Sequence, residues 1–214
     1  MNIISVKNLY KDFGQERVLH NVTRDFERGR IHGIVGNNGS GKTVLMICGF
    51  LIPTEGEVIV NGKRVGKDVD FPPGLGLIIE TPGFLPNMTG VKNLEILASL
   101  NKKIGLEQIA AAIRRVGLDP LMEKPVGKYS LGMRQRLGIA QAIMEDPTLL
   151  ILDEPLNGLD KHGVREMRQL IKGLKEQGKT ILLASHNQGD IDELCDTVCE
   201  MDAGVMTMIR EESI

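Results

Sequence analysis

An α/β fold with a mainly parallel sheet is what this sequence predicts, on three observations. The eight residues Gly36-Asn37-Asn38-Gly39-Ser40-Gly41-Lys42-Thr43 fit G-x-x-x-x-G-K-[ST] between an apolar strand-like run, Ile31 to Val35, and a helix-like one, Val44 to Cys48. Two further apolar runs, Leu149 to Leu152 and Ile181 to Ala184, lead into the polar pairs Asp153-Glu154 and Ser185-His186. Between the glycine-rich loop and these runs, from Thr89 to Glu145, apolar residues recur at helical spacing.

The elements run in order along the chain. Ile3 to Val6 and Val18 to Thr23 read as short strands with a turn at Gly14, and a third strand leads into the glycine-rich loop. Pro53-Thr54-Glu55-Gly56 is a turn, and Glu57 to Val60 with Asn61-Gly62 after it is a strand entering a hairpin. Gly66 to Gly76, with Pro72-Pro73-Gly74, is a loop, and Leu75 to Ile79 is a buried strand ending at Glu80. In the helical stretch, Val91, Leu94, Leu97 and Ala98 mark one face, and Ile109, Ala112, Ile113 and Val116 another. Gly117 and Pro120 interrupt it, and Ser130 caps a further helix reaching Met144. After the strand Leu149 to Leu152 come a helix from about Lys161 to Glu176, the strand Thr180 to Ala184, a helix through Ile191 and Leu194, and a hairpin around Asp202-Ala203-Gly204. The expected organisation is one domain over 1–214, with an α/β core at about 1–83 and 146–214, an antiparallel β part within it, and a helical lobe inserted at about 84–145.

Composition excludes several classes. The longest unbroken apolar runs are five residues, against roughly 20 for a bilayer span. The start, Met1-Asn2-Ile3-Ile4-Ser5, meets charge at Lys7 and lacks the apolar core of a secretory signal, so the expected location is cytoplasmic. A net charge of −2, two tyrosines, five phenylalanines and no tryptophan leave little electrostatic or stacking reason for nucleic acid. Three cysteines cannot all pair with one another, and the spacing Cys195-x₃-Cys199 has no second pair to complete a zinc site.

The three polar segments carry the chemistry. In the glycine-rich loop, Gly36, Gly39 and Gly41 let the backbone fold so that successive N–H groups point at one anion, and the helix after it adds its positive end. Lys42 then pairs with β- and γ-phosphates, and the Thr43 hydroxyl ligates Mg²⁺. Asp153 and Glu154 stand where a buried strand turns outward, so both reach a common site. Asp153 suits Mg²⁺ and its waters, and Glu154 suits taking a proton from the water that attacks the γ-phosphate. Ser185-His186 comes at the end of a second strand on the same sheet edge, where His186 can hydrogen-bond the γ-phosphate and help hold Glu154 and the water in line.

With these pieces the chain resembles an ATP-binding cassette ATPase, the nucleotide-binding subunit of ABC transporters, over essentially its whole length. Tyr129-Ser130-Leu131-Gly132-Met133-Arg134-Gln135-Arg136 is similar to the family's Leu-Ser-Gly-Gly-Gln signature with its basic helix. Leu156-Asn157-Gly158-Leu159-Asp160 resembles the loop that crosses the dimer interface, and Phe13 matches the aromatic that stacks on adenine. The resemblance implies ATP and Mg²⁺ as cofactors, and pairing with a second copy or a homologous subunit, head to tail. Each ATP then lies between one subunit's phosphate loop and the other's Ser130 and Gly132, with Asp160 at the interface. Read alone, Ser130 is only a helix N-cap.

Three departures from the family pattern matter. Leu131 and Met133 replace the signature's Gly and Gln, implying retuned sandwiching. Glu80 stands where the family has a Gln touching Mg²⁺ and the attacking water. A Glu can ligate Mg²⁺ but adds negative charge near the γ-phosphate, which implies slower or more metal-dependent hydrolysis. These changes, with Gly83 to Gly90, resemble bacterial exporters of lantibiotic and bacitracin-type peptides, which confer immunity or resistance through a separate membrane permease. That resemblance implies an ATPase peripheral on the inner face of the membrane, meeting the permease around Phe84 to Met88. The competing reading is a soluble regulatory or translation-associated ATPase of the same family that works without a permease. The third departure is about two residues fewer between Thr43 and Gly49; removing two residues from a helix rotates its downstream part by roughly 200°. The first helix is therefore short or locally adjusted, unless residues are missing from the chain.

Overall fold

The computed structural model describes residues 1–36, 40–79 and 83–211, with 40–42 described as backbone only. Ten strands and six α-helices are present among them. The N-terminal strands are longer than expected: β1 (Asn2–Phe13) and β2 (Glu16–Glu27) form one antiparallel hairpin turning at Gly14. Register shifts interrupt their pairing, and Asn8 and Asn21 sit in the left-handed region. The irregularity at Asn8 breaks the period-2 pattern beyond Val6, so only the short run Ile3 to Val6 of β1 shows in the sequence. β1 also pairs with β4 (Glu55–Val60), which turns at Asn61-Gly62 into β5 (Lys63–Arg64). Both turn residues have positive φ, as a two-residue hairpin of this hand requires. The first sheet is thus antiparallel, in the order β2-β1-β4-β5.

The second sheet holds β3 (Ile31–Val35), β6 (Leu75–Ile78), β7 (Leu149–Asp153), β8 (Thr180–Ala184), β9 (Thr197–Asp202) and β10 (Val205–Glu211), in the order β10-β9-β3-β8-β7-β6. It is parallel except for the β9–β10 hairpin. Both faces are covered, so β7 buries all four of its apolar residues. Leu149 and Ile151 face the first sheet and α1 (Ser40–Cys48), whereas Leu150 and Leu152 face the helices α2 (Gly90–Asn101), α3 (Leu106–Arg115), α4 (Leu131–Ile143), α5 (Lys161–Glu176) and α6 (Gln188–Leu194). Each such side chain withdrawn from water contributes about 1.5–3 kcal/mol.

Helix boundaries coincide with their caps. Thr89 accepts from Lys92 N, Ser130 from Met133 N and Asp160 from Gly163 N, opening α2, α4 and α5. α1 is short, nine residues, and its end is well defined. Gly49 N donates to Met46 O and Phe50 N to Leu45 O, the paired bonds of a Schellman motif, with Gly49 at φ +87°. Gly49 lies so close to Asp70 O that a Cβ would sit 2.1 Å from it. The shortened stretch is thereby accommodated by an early stop.

Candidate ATP site

β3 runs between β9 and β8, so Gly36 leaves the sheet from its interior. A Cβ there would lie 2.1 Å from Met201 O, and φ is +143°, so only glycine lets the chain turn here. The parallel strands β7 and β8 end beside it, which is where an open α/β sheet leaves a crevice. Ile34, Gly36, Asp153, Glu154, Ala184, Ser185 and His186 line a cleft of about 280 Å³. The sequence-predicted Gly36, Asp153, Glu154 and His186 therefore meet around one space.

Glu154 is held at every polar group. Its φ is +47°, a left-handed conformation costing a non-glycine residue roughly 1–2 kcal/mol. Its N–H donates to Ala184 O (2.9 Å), and its carbonyl accepts from Gln135 Nε2 (3.1 Å) and Asn157 N (3.3 Å). The carboxylate accepts from the His186 backbone N–H at 2.9 Å and lies 2.5 Å from His186 Nδ1, both at Oε1. Ser185 Oγ donates to Oε2 across 3.4 Å. The side chain is 26% exposed, and His186, at 71%, is the more open partner. A carboxylate so oriented, with one oxygen loosely engaged, can accept a proton from a water in the cleft.

Thr43, in the first turns of α1, is completely buried, and its Oγ1 has no hydrogen-bond partner among the described residues. An orphaned buried hydroxyl costs roughly 1–3 kcal/mol unless a ligand completes it, so a hard cation that takes oxygen ligands fits this position. Asp153, half-buried at the end of β7, supplies a second oxygen donor in the crevice.

The other predicted positions fall elsewhere. Asn37, Asn38, Gly39 and Glu80 lie outside the described residues, as do the side chains of Ser40 and Lys42; Ser40, Gly41 and Lys42 form the start of α1. Ser130 and Gly132 open α4 and do not line the cleft beside Gly36. Gly132 and Leu131 pack instead with the loop before α5: the position of a Gly132 Cβ is 3.1 Å from Gly158 O, and Leu131 covers Gly158. Asp160 caps α5, and Phe13, 48% exposed at the end of β1, carries Lys11 Nζ 5.1 Å from its ring centre.

Sequence reasoning missed Gln135 and the exposed pair Phe50 and Phe71, whose rings meet edge to face at 5.5 Å. Gln135 had a signal: it shares a face with Ile139, Ala142 and Ile143, an amide on an apolar stripe. The aromatic pair joins segments distant in the chain and had none.

The ABC transporter family model matches residues 19–157. An uncharacterized ABC transporter ATP-binding protein of Bacillus subtilis, YybJ, is 43% identical over 204 residues, 94% of each chain. The bacitracin transport ATP-binding protein BcrA of Enterococcus faecalis is 40% identical, over 94% of this chain and 67% of that one. The lantibiotic transport ATP-binding protein SrtF of Streptococcus pyogenes is 33% identical over 98% and 91%. A solved nucleotide-free ATP-binding cassette from an ABC transporter superposes with a TM-score of 0.83 at 26% identity, covering 99% of this chain and 92% of its own. The α/β crevice at Gly36, the carboxylates at the end of β7 and these likenesses together place the chain in the ABC transporter family, as an ATP-binding subunit with ATPase activity.

Proposed function

We propose that this ATPase powers export of an antimicrobial peptide through a separate integral membrane permease, working from the cytoplasmic face of the membrane. The observation that carries the catalytic half is the meeting of Gly36, Asp153, Glu154 and His186 around one cleft, with the Glu154 carboxylate held toward it. In this reading Glu154 takes the proton of the attacking water, His186 contacts the γ-phosphate, and Lys42 pairs with the β- and γ-phosphates. Thr43 and Asp153, with Glu80, would hold Mg²⁺, which neutralises phosphate charge when bound. Ser130, Gly132 and Asp160 face the ATP of a second subunit, paired head to tail, and Phe13 stacks on adenine. The helical lobe, about 84–145, moves against the α/β core as the pair closes on ATP and reopens after hydrolysis.

Support for peptide export is the likeness to bacitracin and lantibiotic transport proteins over more than nine-tenths of this chain. Among the described residues no helix is long and apolar enough to cross a membrane, and in this reading the permease supplies the pathway for cargo. A surface for it lies where Phe50, Leu77, Ile79, Gly83 and Leu97 line a groove of about 290 Å³, next to the loop carrying exposed Leu85 and Met88. That loop is pinned by buried Asn93, whose side chain bonds Leu85 N, Leu85 O and Thr89 O. Phe84, by contrast, packs against the core.

Purification of tagged protein from detergent-solubilised membranes is expected to bring down a multi-spanning membrane protein, and Phe50→Asp to release it. Co-sedimentation with ribosomes and no membrane partner would overturn the export reading. Lys42→Ala is expected to abolish ATP binding in an equilibrium assay; retained micromolar affinity would contradict the role given to Lys42.

A further inference from the structure

Two features of Glu154 meet in one peptide group: a left-handed φ of +47° and a carbonyl that a distant side chain holds. That side chain is Gln135, 5% exposed, one and a half turns into the helix that Ser130 caps. Its Nε2 donates to Glu154 O at 3.1 Å, beside the local turn bond from Asn157 N. On the other side of the residue, Ala184 O takes the Glu154 N–H. The backbone that aims the carboxylate is therefore clamped between β8 and α4.

The next residue fixes α4 in turn. Arg136 Nη1 donates to Val116 O at 2.7 Å, and Nη2 to Glu166 Oε2 at 2.6 Å. Val116 closes α3 and Glu166 lies on α5, so α4 is joined to elements on both sides of the segment from Glu154 to Asp160. Buried amides are rare on apolar helix faces because their donors need partners. Packing alone would be served by Met or Leu at this position, whereas the bond needs a neutral donor of glutamine's length.

We infer that Gln135 is a positioning residue for Glu154: it sets the backbone from which the carboxylate projects and ties that carboxylate to the helix opening at Ser130. This rests on the reading of Glu154 as the base. A displacement of the Ser130 end of α4 is carried along a rigid helix to Glu154 of the same chain. The part of a subunit that faces one ATP thereby adjusts the base that acts on the other.

The test is a double-mutant cycle on the intact protein, reading steady-state hydrolysis, the KM for ATP and equilibrium ATP binding. Gln135→Met keeps volume and removes the donor. It is expected to lower kcat about tenfold or more, with KM and ATP affinity within about twofold. In a Glu154→Gln background the same substitution should change the residual rate by less than about twofold, because the group being positioned is already gone. Equal loss in both backgrounds would mean a general structural role and overturn the inference. Unchanged kcat for Gln135→Met, with Glu154→Gln strongly impaired, would overturn the link alone. Full activity of Glu154→Gln would overturn the base assignment and the inference with it. Gln135→Asn leaves a buried amide one methylene short of the carbonyl and is expected to lose the same factor; it replaces the Met variant should that one fail to fold.

Discussion

Glu154→Gln is expected to keep ATP binding and to lose hydrolysis by roughly 10²–10⁴-fold, the usual range for a general base. The substitution preserves shape, and an amide oxygen at the Oε1 position still accepts from the His186 backbone N–H, 2.9 Å away. The backbone bonds to Ala184 O and Gln135 Nε2 involve no side-chain atom of residue 154 and survive unchanged. What is lost is the capacity to take a proton, so the effect belongs in kcat rather than in affinity. Single-turnover hydrolysis measured beside equilibrium binding separates the two. Unchanged turnover removes Glu154 from this role, and a matching fall in affinity would show that its charge served binding instead.

Thr43→Val is expected to move stability and activity in opposite directions. The Thr43 side chain is completely buried, and its hydroxyl has no partner among the described residues. Valine has nearly the same shape and no group to satisfy, so the nucleotide-free protein should gain about 1 kcal/mol, read as a higher urea midpoint. Turnover with ATP should fall by about 10²-fold or more, with a higher Mg²⁺ concentration needed for half-maximal rate, as expected when a metal ligand is removed. A hydroxyl with a purely structural role would lower the urea midpoint when removed; that result would sink the ligand reading.

Much of this architecture was legible because its signals are local. Asp160 and the Met167-Ile171-Leu174 stripe delimit α5, and the apolar runs of β7 and β8 announce strands buried on both faces. The full twelve-residue length of β1 was not legible, since Asn8, in the left-handed region, interrupts the alternation beyond Val6. At the site, residue types at strand ends pointed to Glu154 and His186, and their separation of 2.5 Å agrees with the shared edge those positions implied. The left-handed turn at Glu154 could not be anticipated, because glutamate has no intrinsic preference for it; its N–H donates to Ala184 O and its carbonyl accepts from Gln135 Nε2, both far along the chain, and these bonds hold it. The Phe50–Phe71 contact is hidden for the same reason: nothing near either ring in sequence indicates the other.

The placement of β3 also orders events during synthesis. Its two sheet neighbours are late in the chain: Ile31 pairs with Ile181 and His32 with Thr197, and Gly36 rests against Met201. Until those residues leave the ribosome, the strand that carries the phosphate loop has no lateral hydrogen-bond partner, and Ile31 and Ile34 have no sheet around them. Such long-range closure is slow and exposes apolar surface in the waiting intermediate. A nascent chain ending before Thr180 should therefore neither bind nucleotide nor stay free of chaperones, however complete its glycine-rich loop already is.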